Sequence, residues 1–127
     1  MDDRDVADKF WSGRTDRAFA LRSLLDHGAT IALGSDAPVA PLDPWITAAA
    51  AVGRSRGGRE PWCPDQRISP AEAFMASTRG RAGISVGDAA DLVVVERDPL
   101  AAPHESIRTM SVAATMVAGY LTFDGLS

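Results

Sequence analysis

The sequence predicts an α/β fold, and three observations lead to that prediction. Apolar residues recur at helical spacing over residues 17–27, and a glycine follows them at once. A short apolar run, residues 30–33, comes directly after that glycine. A helix, a tight turn and a buried strand make half of a repeating α/β unit. Strand-like patterns dominate from residue 91 onward, so the chain changes character in its last third.

The first elements are predicted as follows. Residues 1–16 are polar and rich in charge, so we expect a loop or a short irregular segment there. Asp16 is a candidate cap for a helix over 17–27, and Gly28 stands where such a helix commonly stops. The run 30–33, Thr-Ile-Ala-Leu, is short and largely apolar without alternating charged residues, which is typical of a fully buried strand in a parallel sheet.

Two further helices are indicated by their start signals. Asp43 as N-cap and Pro44 at the first helical position predict a helix as far as about residue 52. Residues 54–67 hold four arginines, two glycines and two prolines without periodicity, so they predict a long loop. The Ser-Pro-Ala-Glu block at 69–72 has the pattern of a capping box and predicts the next helix.

The last third of the chain predicts β-structure. Residues 91–96 have the pattern of a buried strand, and residues 111–117 and 120–123 are two further strand candidates. Ala118-Gly119 between the last two predicts a hairpin turn, although alanine tolerates the positive φ of such a turn poorly.

Composition narrows the class of protein. The 127 residues are 46% hydrophobic and 24% charged, as expected for one soluble globular domain. The single cysteine, Cys63, has no partner for an internal disulfide, so we expect a cytoplasmic protein. No apolar stretch approaches the roughly 18 residues of a membrane helix, so no membrane partner is expected. The net charge of −4 gives the molecule as a whole no attraction to nucleic acid.

Asp36 is the richest candidate for chemistry. It follows the carboxyl end of the predicted strand 30–33, the edge at which active sites of α/β sheets and barrels gather. An aspartate in this place also forms turns and caps helices, so position alone leaves both roles open. His27 and His104 lie far apart in the sequence and form no metal-binding motif, so we interpret both as structural or solvated. Cys63 is interpreted as an inert thiol.

Several sequence blocks resemble one enzyme family. They are Gly-Ser-Asp-Ala-Pro-Val at 34–39, Gln-Arg-Ile-Ser-Pro-Ala-Glu-Ala at 66–73 and Gly-Asp-Ala-Ala-Asp-Leu-Val-Val-Val at 87–95. In this order they resemble the C-terminal quarter of the amidohydrolase superfamily, and within it amidohydrolase family 3, the YtcJ-like metal-dependent hydrolases. The likeness extends from about residue 13 over nearly the whole chain.

The resemblance implies a fold and a division of the chain. The family fold is a TIM-like (β/α)₈ barrel with a small β-sandwich, and a barrel needs roughly 250 residues. The resemblance therefore implies that residues 1–80 are the last helix-strand-helix segment of the barrel with the following helix. It likewise implies that residues 81–127 are the C-terminal strands of the sandwich.

The resemblance also implies a function. Asp36 would be both a catalytic residue and a ligand of a divalent metal, zinc above all, in a full-length enzyme that hydrolyses a C–N bond of a small organic substrate. The family's His-X-His motif and its later histidines have no counterpart here, so we expect this chain alone to bind no metal and to be inactive. A non-catalytic interaction module is the alternative. Sheet edges without neighbours predict self-association.

Overall fold

The computed structural model describes residues 4–81 and 83–126. The chain is an α/β protein with helices in its first two thirds and a three-stranded antiparallel sheet near its end. No helix in these ranges has the length and apolar character needed to cross a membrane. The elements, in chain order, are α1 (Arg4–Phe10), α2 (Leu21–Asp26), α3 (Pro44–Gly53), α4 (Pro70–Ser77), β1 (Leu92–Val95), α5 (His104–Arg108), β2 (Val112–Val117) and β3 (Tyr120–Asp124).

The expectation of a loop over 1–16 is wrong for residues 4–10, whereas residues 11–14 are irregular as expected. Helix α1 occupies Arg4–Phe10, with Asp5 in its first turn and Lys9 in its last, the order that the helix dipole favours. Its stability also depends on distant partners that a local pattern does not reveal. Asp8 accepts a hydrogen bond from Nε1 of Trp62 (2.8 Å), and Asp5 pairs with Arg59 (2.6 Å).

The helix expected over 17–27 is shorter than the pattern suggested. Thr15–Arg17 form a single 3₁₀ turn, and α2 begins only at Leu21, with Ala20 rather than Asp16 as its N-cap. Phe19 interrupts the helix because its backbone adopts a positive φ of 53°. The C-terminal end agrees with the prediction: Gly28, at φ 78°, follows the last turn.

Residues 30–33 do not form the predicted buried strand. The segment is extended, but no neighbouring strand pairs with it within the described residues. Its burial alternates: Ile31 and Leu33 pack against the core while Ala32 is exposed. A backbone hydrogen bond from Leu33 to the carbonyl of Ala76 (3.1 Å) ties it to the end of α4. The apolar run therefore predicted extended backbone correctly. The described chain places no second strand beside this segment to form a sheet.

Helices α3 and α4 begin where the sequence predicted. Oδ1 of Asp43 accepts hydrogen bonds from the backbone N–H groups of Trp45 (2.8 Å) and Ile46 (3.3 Å). Ser69 and Glu72 form the complete capping box of α4. These caps satisfy N–H groups that have no partner inside a helix, which is why such signals are readable locally.

The core lies between α3, α4 and α5. Its buried members are small or branched apolar residues, and Ile107 of α5 is fully buried among them. Helix α5, which begins at His104, was not predicted from the sequence. The ring of His104 lies against Gly53, where a Cβ atom would stand 2.2 Å from its Cδ2. The buried residues of the core are Ala48, Ala49, Ala51, Ile68, Ala73 and Ile107.

The sheet has the order β1-β2-β3, and both strand pairs are antiparallel. The predicted hairpin is confirmed, with Ala118 at φ 50° and Gly119 at φ 83° in the turn. Ala118 is held in this conformation because its N–H donates to Oδ1 of Asp91 (2.8 Å). Strand β1 was expected to be buried, but Val93 and Val94 are about half exposed, since no second layer of the described chain covers them.

Candidate functional site

Asp36 lies at the end of the extended segment that begins at residue 30. It is exposed, and its backbone adopts φ 56°, a conformation that non-glycine residues seldom take. Its carbonyl accepts a hydrogen bond from the N–H of Val39 (2.9 Å), which closes a turn behind it. Among the residues that the structure describes, no side chain contacts its carboxylate through a hydrogen bond or ion pair. A closed turn therefore presents a carboxylate that is available to other groups.

Asp43, the other carboxylate of this loop, is already engaged. Its side chain caps α3, and its carbonyl accepts a hydrogen bond from Oγ1 of Thr47 (3.2 Å). The interpretation of Asp43 as an N-cap is thus confirmed. The two carboxylates differ in availability. That of Asp43 caps α3, whereas that of Asp36 has no hydrogen-bond or ion-pair partner in the described chain.

The described residues do not by themselves fit a metal ion. Within residues 4–81 and 83–126, no group of three or more histidine, cysteine, aspartate or glutamate side chains is placed to hold one. His27 ends α2 with its Nδ1 2.7 Å from the carbonyl of Ser23, and Nε2 of His104 lies 3.3 Å from Glu105. Both therefore have local partners, in line with the structural interpretation, and Asp36 alone cannot supply the four-coordinate site that zinc prefers.

Arg54 is a buried arginine that joins the loop after α3 to the residues before α2. It is only 2% exposed, follows α3 in the left-handed conformation and stacks over the ring of Trp62 at 5.6 Å. Its guanidinium donates hydrogen bonds to the carbonyls of Trp62 (3.0 Å), Phe19 (3.1 Å) and Ala18 (3.1 Å). Burial lowers the pKa of Arg54. Three carbonyl oxygens and one aromatic face thus replace water around a buried cation.

A second polar network joins α2 to the start of α4. Arg22 donates to Glu72 and to Asp26 (3.1 Å), while Glu72 also accepts from the N–H of Ser69 (2.7 Å). These hydrogen bonds, that from Arg22 above all, lower the pKa of Glu72 to about 2. Nearby, the side-chain amide of Gln66 donates to Oγ of Ser23 (2.8 Å). The block at 66–73 is therefore a structural joint between two helices.

Sequence reasoning singled out Asp36 but not Arg54 or Trp62. It counted Arg54 among the four arginines of a long loop and gave Trp62 no role. The partners of Arg54 lie 35 and 36 positions away in the chain, so no local pattern could have indicated the contact. The available signal was the position of Arg54 directly after a well-capped apolar helix, where a loop side chain can fold back against the core.

The model of the amidohydrolase family matches residues 2–123, so the chain belongs to that family. Its place within the family is amidohydrolase family 3, the YtcJ-like group, as the sequence blocks indicated.

Three curated relatives illustrate the match. The chain is 31% identical to an N-substituted formamide deformylase of Arthrobacter pascens over 90% of its own length and 23% of the relative's. It is 29% identical to the putative amidohydrolase YtcJ of Bacillus subtilis over 94% of its length and 25% of the relative's. The protein LONG AFTER FAR-RED 3 of Arabidopsis thaliana is 33% identical over 94% and 22%, respectively. The chain therefore spans about a quarter of each relative, and no solved structure matches it.

Proposed function

We propose that this chain is the C-terminal part of a metal-dependent amidohydrolase that cleaves an amide-type C–N bond in a small organic substrate. Asp36 is the observation that carries the proposal: an exposed carboxylate without a structural partner in the described chain, at the end of an extended segment packed on the core. Residues 1–80 then contribute the last helix-strand-helix segment of a TIM-like barrel and the helix after it. Residues 81–127 contribute strands of a β-sandwich.

Asp36 would act as the proton acceptor in that hydrolysis. The oxygen of water forms a bond to the carbonyl carbon as Asp36 takes its proton, and the C–N bond then breaks as that proton passes to the leaving nitrogen. The products are a carboxylic acid and an amine, so atoms and charge balance. General acid–base groups of this kind contribute about 10²- to 10⁴-fold to rate. The name of the formamide deformylase relative supports a C–N bond as the target.

The family generally binds divalent metals, and a bound metal would polarise the carbonyl or acidify water. Asp36 is chemically suited to be one ligand of such an ion. The other ligands would have to come from outside the described residues, since these hold no group of three ligands. The same observation favours a second candidate, an interaction module that keeps the terminal elements of the fold without catalysis.

The coding sequence before Met1 separates these two candidates. An in-frame extension that encodes a His-X-His motif supports the hydrolase. A promoter and a ribosome-binding site directly before Met1, without such an extension, support the interaction module and overturn the hydrolase proposal.

The 127-residue chain by itself should retain no stoichiometric zinc and hydrolyse no amide. The reason is the ligand count: Asp36 against the three or four protein ligands of zinc sites. Metal analysis after dialysis, together with assays on N-formyl and N-acetyl amines, measures this. One tightly held zinc per chain would contradict the expectation and would direct attention to His27 and His104.

Asp36→Asn in the complete enzyme, formed by this chain and its in-frame extension, should lower kcat at least about 10²-fold. Asparagine keeps the shape of the side chain but cannot accept the proton. Asp43→Asn is the matched control and should leave kcat nearly unchanged, since asparagine caps a helix about as well as aspartate. Normal turnover of Asp36→Asn, or a collapse for Asp43→Asn at unchanged stability, would refute the assignment of the site.

A further inference from the structure

A cleft of about 370 Å³ lies beside the 3₁₀ turn that precedes α2, and Trp11, Arg14, Arg17 and Ala18 line it. This volume is within the range of small-molecule pockets. The first three residues are spaced by three in the sequence. Gly13, at φ 75°, allows the turn in which the N–H of Arg14 donates to the carbonyl of Trp11 (2.8 Å). All three of these side chains line the same cleft, so one surface carries a ring and two cations.

The two arginines of the cleft have no carboxylate partner among the residues that the structure describes. Within residues 4–81 and 83–126, neither Arg14 nor Arg17 forms an ion pair with a carboxylate. Asp16 lies between them in the sequence but does not line the cleft. Their guanidinium groups are therefore available to an anion from solution. Arginines that pair with carboxylates in the same ranges include Arg4, Arg22, Arg59, Arg97 and Arg108.

The backbone near the cleft is held in place by hydrogen bonds from other parts of the chain. The carbonyls of Ala18 and Phe19 accept hydrogen bonds from the buried Arg54, and Sγ of Cys63 donates to the carbonyl of Thr15 (3.2 Å). These contacts hold the 3₁₀ turn against the loop after α3. A site whose backbone is already ordered loses less conformational entropy when a ligand binds.

We propose that this cleft binds a small planar organic carboxylate, with the anion held by Arg14 and Arg17 and the apolar plane resting on Trp11. Guanidinium groups match the two oxygens of a carboxylate in a bidentate geometry. The indole ring offers a flat apolar face for a planar ligand. The site is separate from Asp36 in its residues and does not depend on the proposed hydrolysis.

Calorimetric titration of the 127-residue chain with benzoate tests the proposal. Benzoate should bind saturably, and two probes should bind at least about tenfold more weakly: benzamide, which lacks the charge, and acetate, which lacks the plane. Benzamide binding as tightly as benzoate would overturn the role of the arginines. Acetate binding as tightly as benzoate would show that the cleft attracts anions in general and does not recognise a planar ligand. That result would overturn the proposal.

Variants locate the binding. The double substitution of Arg14→Gln and Arg17→Gln should weaken benzoate binding at least about tenfold, and Trp11→Leu should weaken it by a similar factor. Arg81→Gln, which removes an exposed arginine outside the cleft, is the control and should bind as the parent does. Thermal melting of each variant verifies folding. Unchanged binding in the double variant, or no saturable binding by the parent at millimolar benzoate, would overturn the proposal.

Discussion

The helical core and the sheet bury their apolar side chains to very different extents. Ala48, Ala73 and Ile107 are 0% exposed, whereas Phe123 of β3 is 50% exposed and every residue of that strand is open to solvent. Small alanines on α3 and α4 let the helices approach closely, so a few short elements close a core. A three-stranded sheet has two faces and two edges, and it needs a second layer to bury them. Whether a region buries its apolar side chains thus depends on the size of those side chains and on the number of layers that pack together.

Among the changes that test this contrast in burial, truncation of a core side chain should have the largest effect on the free energy of unfolding. Ile107→Ala removes a fully buried branched side chain and should lower the free energy of unfolding by about 2–5 kcal/mol. Leu121→Ala, in a strand that is open to solvent, should cost less than about 1 kcal/mol, because the leucine is 53% exposed. Urea unfolding of both variants measures the difference. Equal losses would mean that the sheet is covered in solution and that the contrast is wrong.

The open sheet should also associate with itself. Strands β1 and β3 are both edges, and the extended segment 30–36 has no strand beside it in the described chain. Val94→Lys places a charge on the β1 edge and should shift the population toward monomer, since edge lysines disfavour strand pairing. Val86→Lys, in a turn, is the control and should not. Sedimentation velocity at micromolar concentration measures both. A monomeric parent chain that melts cooperatively would contradict this expectation.

The smallest expected effect concerns pH. Glu72 has a pKa of about 2 in the folded chain against an ordinary value of 4.5, because Arg22 donates a hydrogen bond to it. Its contribution to stability is therefore complete above about pH 4.5 and is lost as the pH falls toward 2. The contribution should be below about 1 kcal/mol, since the ion pair is partly exposed.

Two variants isolate this contribution. Glu72→Gln removes the titrating group but keeps a side chain that can complete the capping box. Arg22→Gln removes the first cause of the pKa shift. Both should flatten the dependence of the free energy of unfolding on pH between 4.5 and 2, as measured by urea unfolding. Parent-like slopes in both variants would show that the Arg22–Glu72 ion pair does not form in solution.

Local signals explain which parts of the fold could be predicted. The caps at Asp43 and Ser69 satisfy nearby N–H groups, so each helix start is encoded within about four residues. The hairpin at Ala118-Gly119 was predictable because these two residues separate two strand-like runs, although the conformation of Ala118 also depends on the distant Asp91. Helix α1 and the late start of α2 were missed because both depend on contacts with residues 54–62, far along the sequence.

The same limit applies to the candidate site. Asp36 could be chosen from the sequence because it follows an apolar run and lies in a block that resembles a known family. Its exposure and its lack of a structural partner in the described chain agree with that choice, while its role as base and metal ligand stays a prediction. A metal site is a long-range property, since it needs three or four ligands from separate parts of a protein, and a local pattern can indicate only one of them at a time.

We expect the contact between Gly53 and His104 to influence which part of the fold unfolds first. The imidazole occupies the space of a side chain at position 53, so α5 is seated on the end of α3 although it lies between two strands of the sheet. We expect a fluctuation that releases β3 to leave the helical core closed. A fluctuation that releases α5 should open the core, since Ile107 of α5 is fully buried there, and should free the sheet from the helices in the same step.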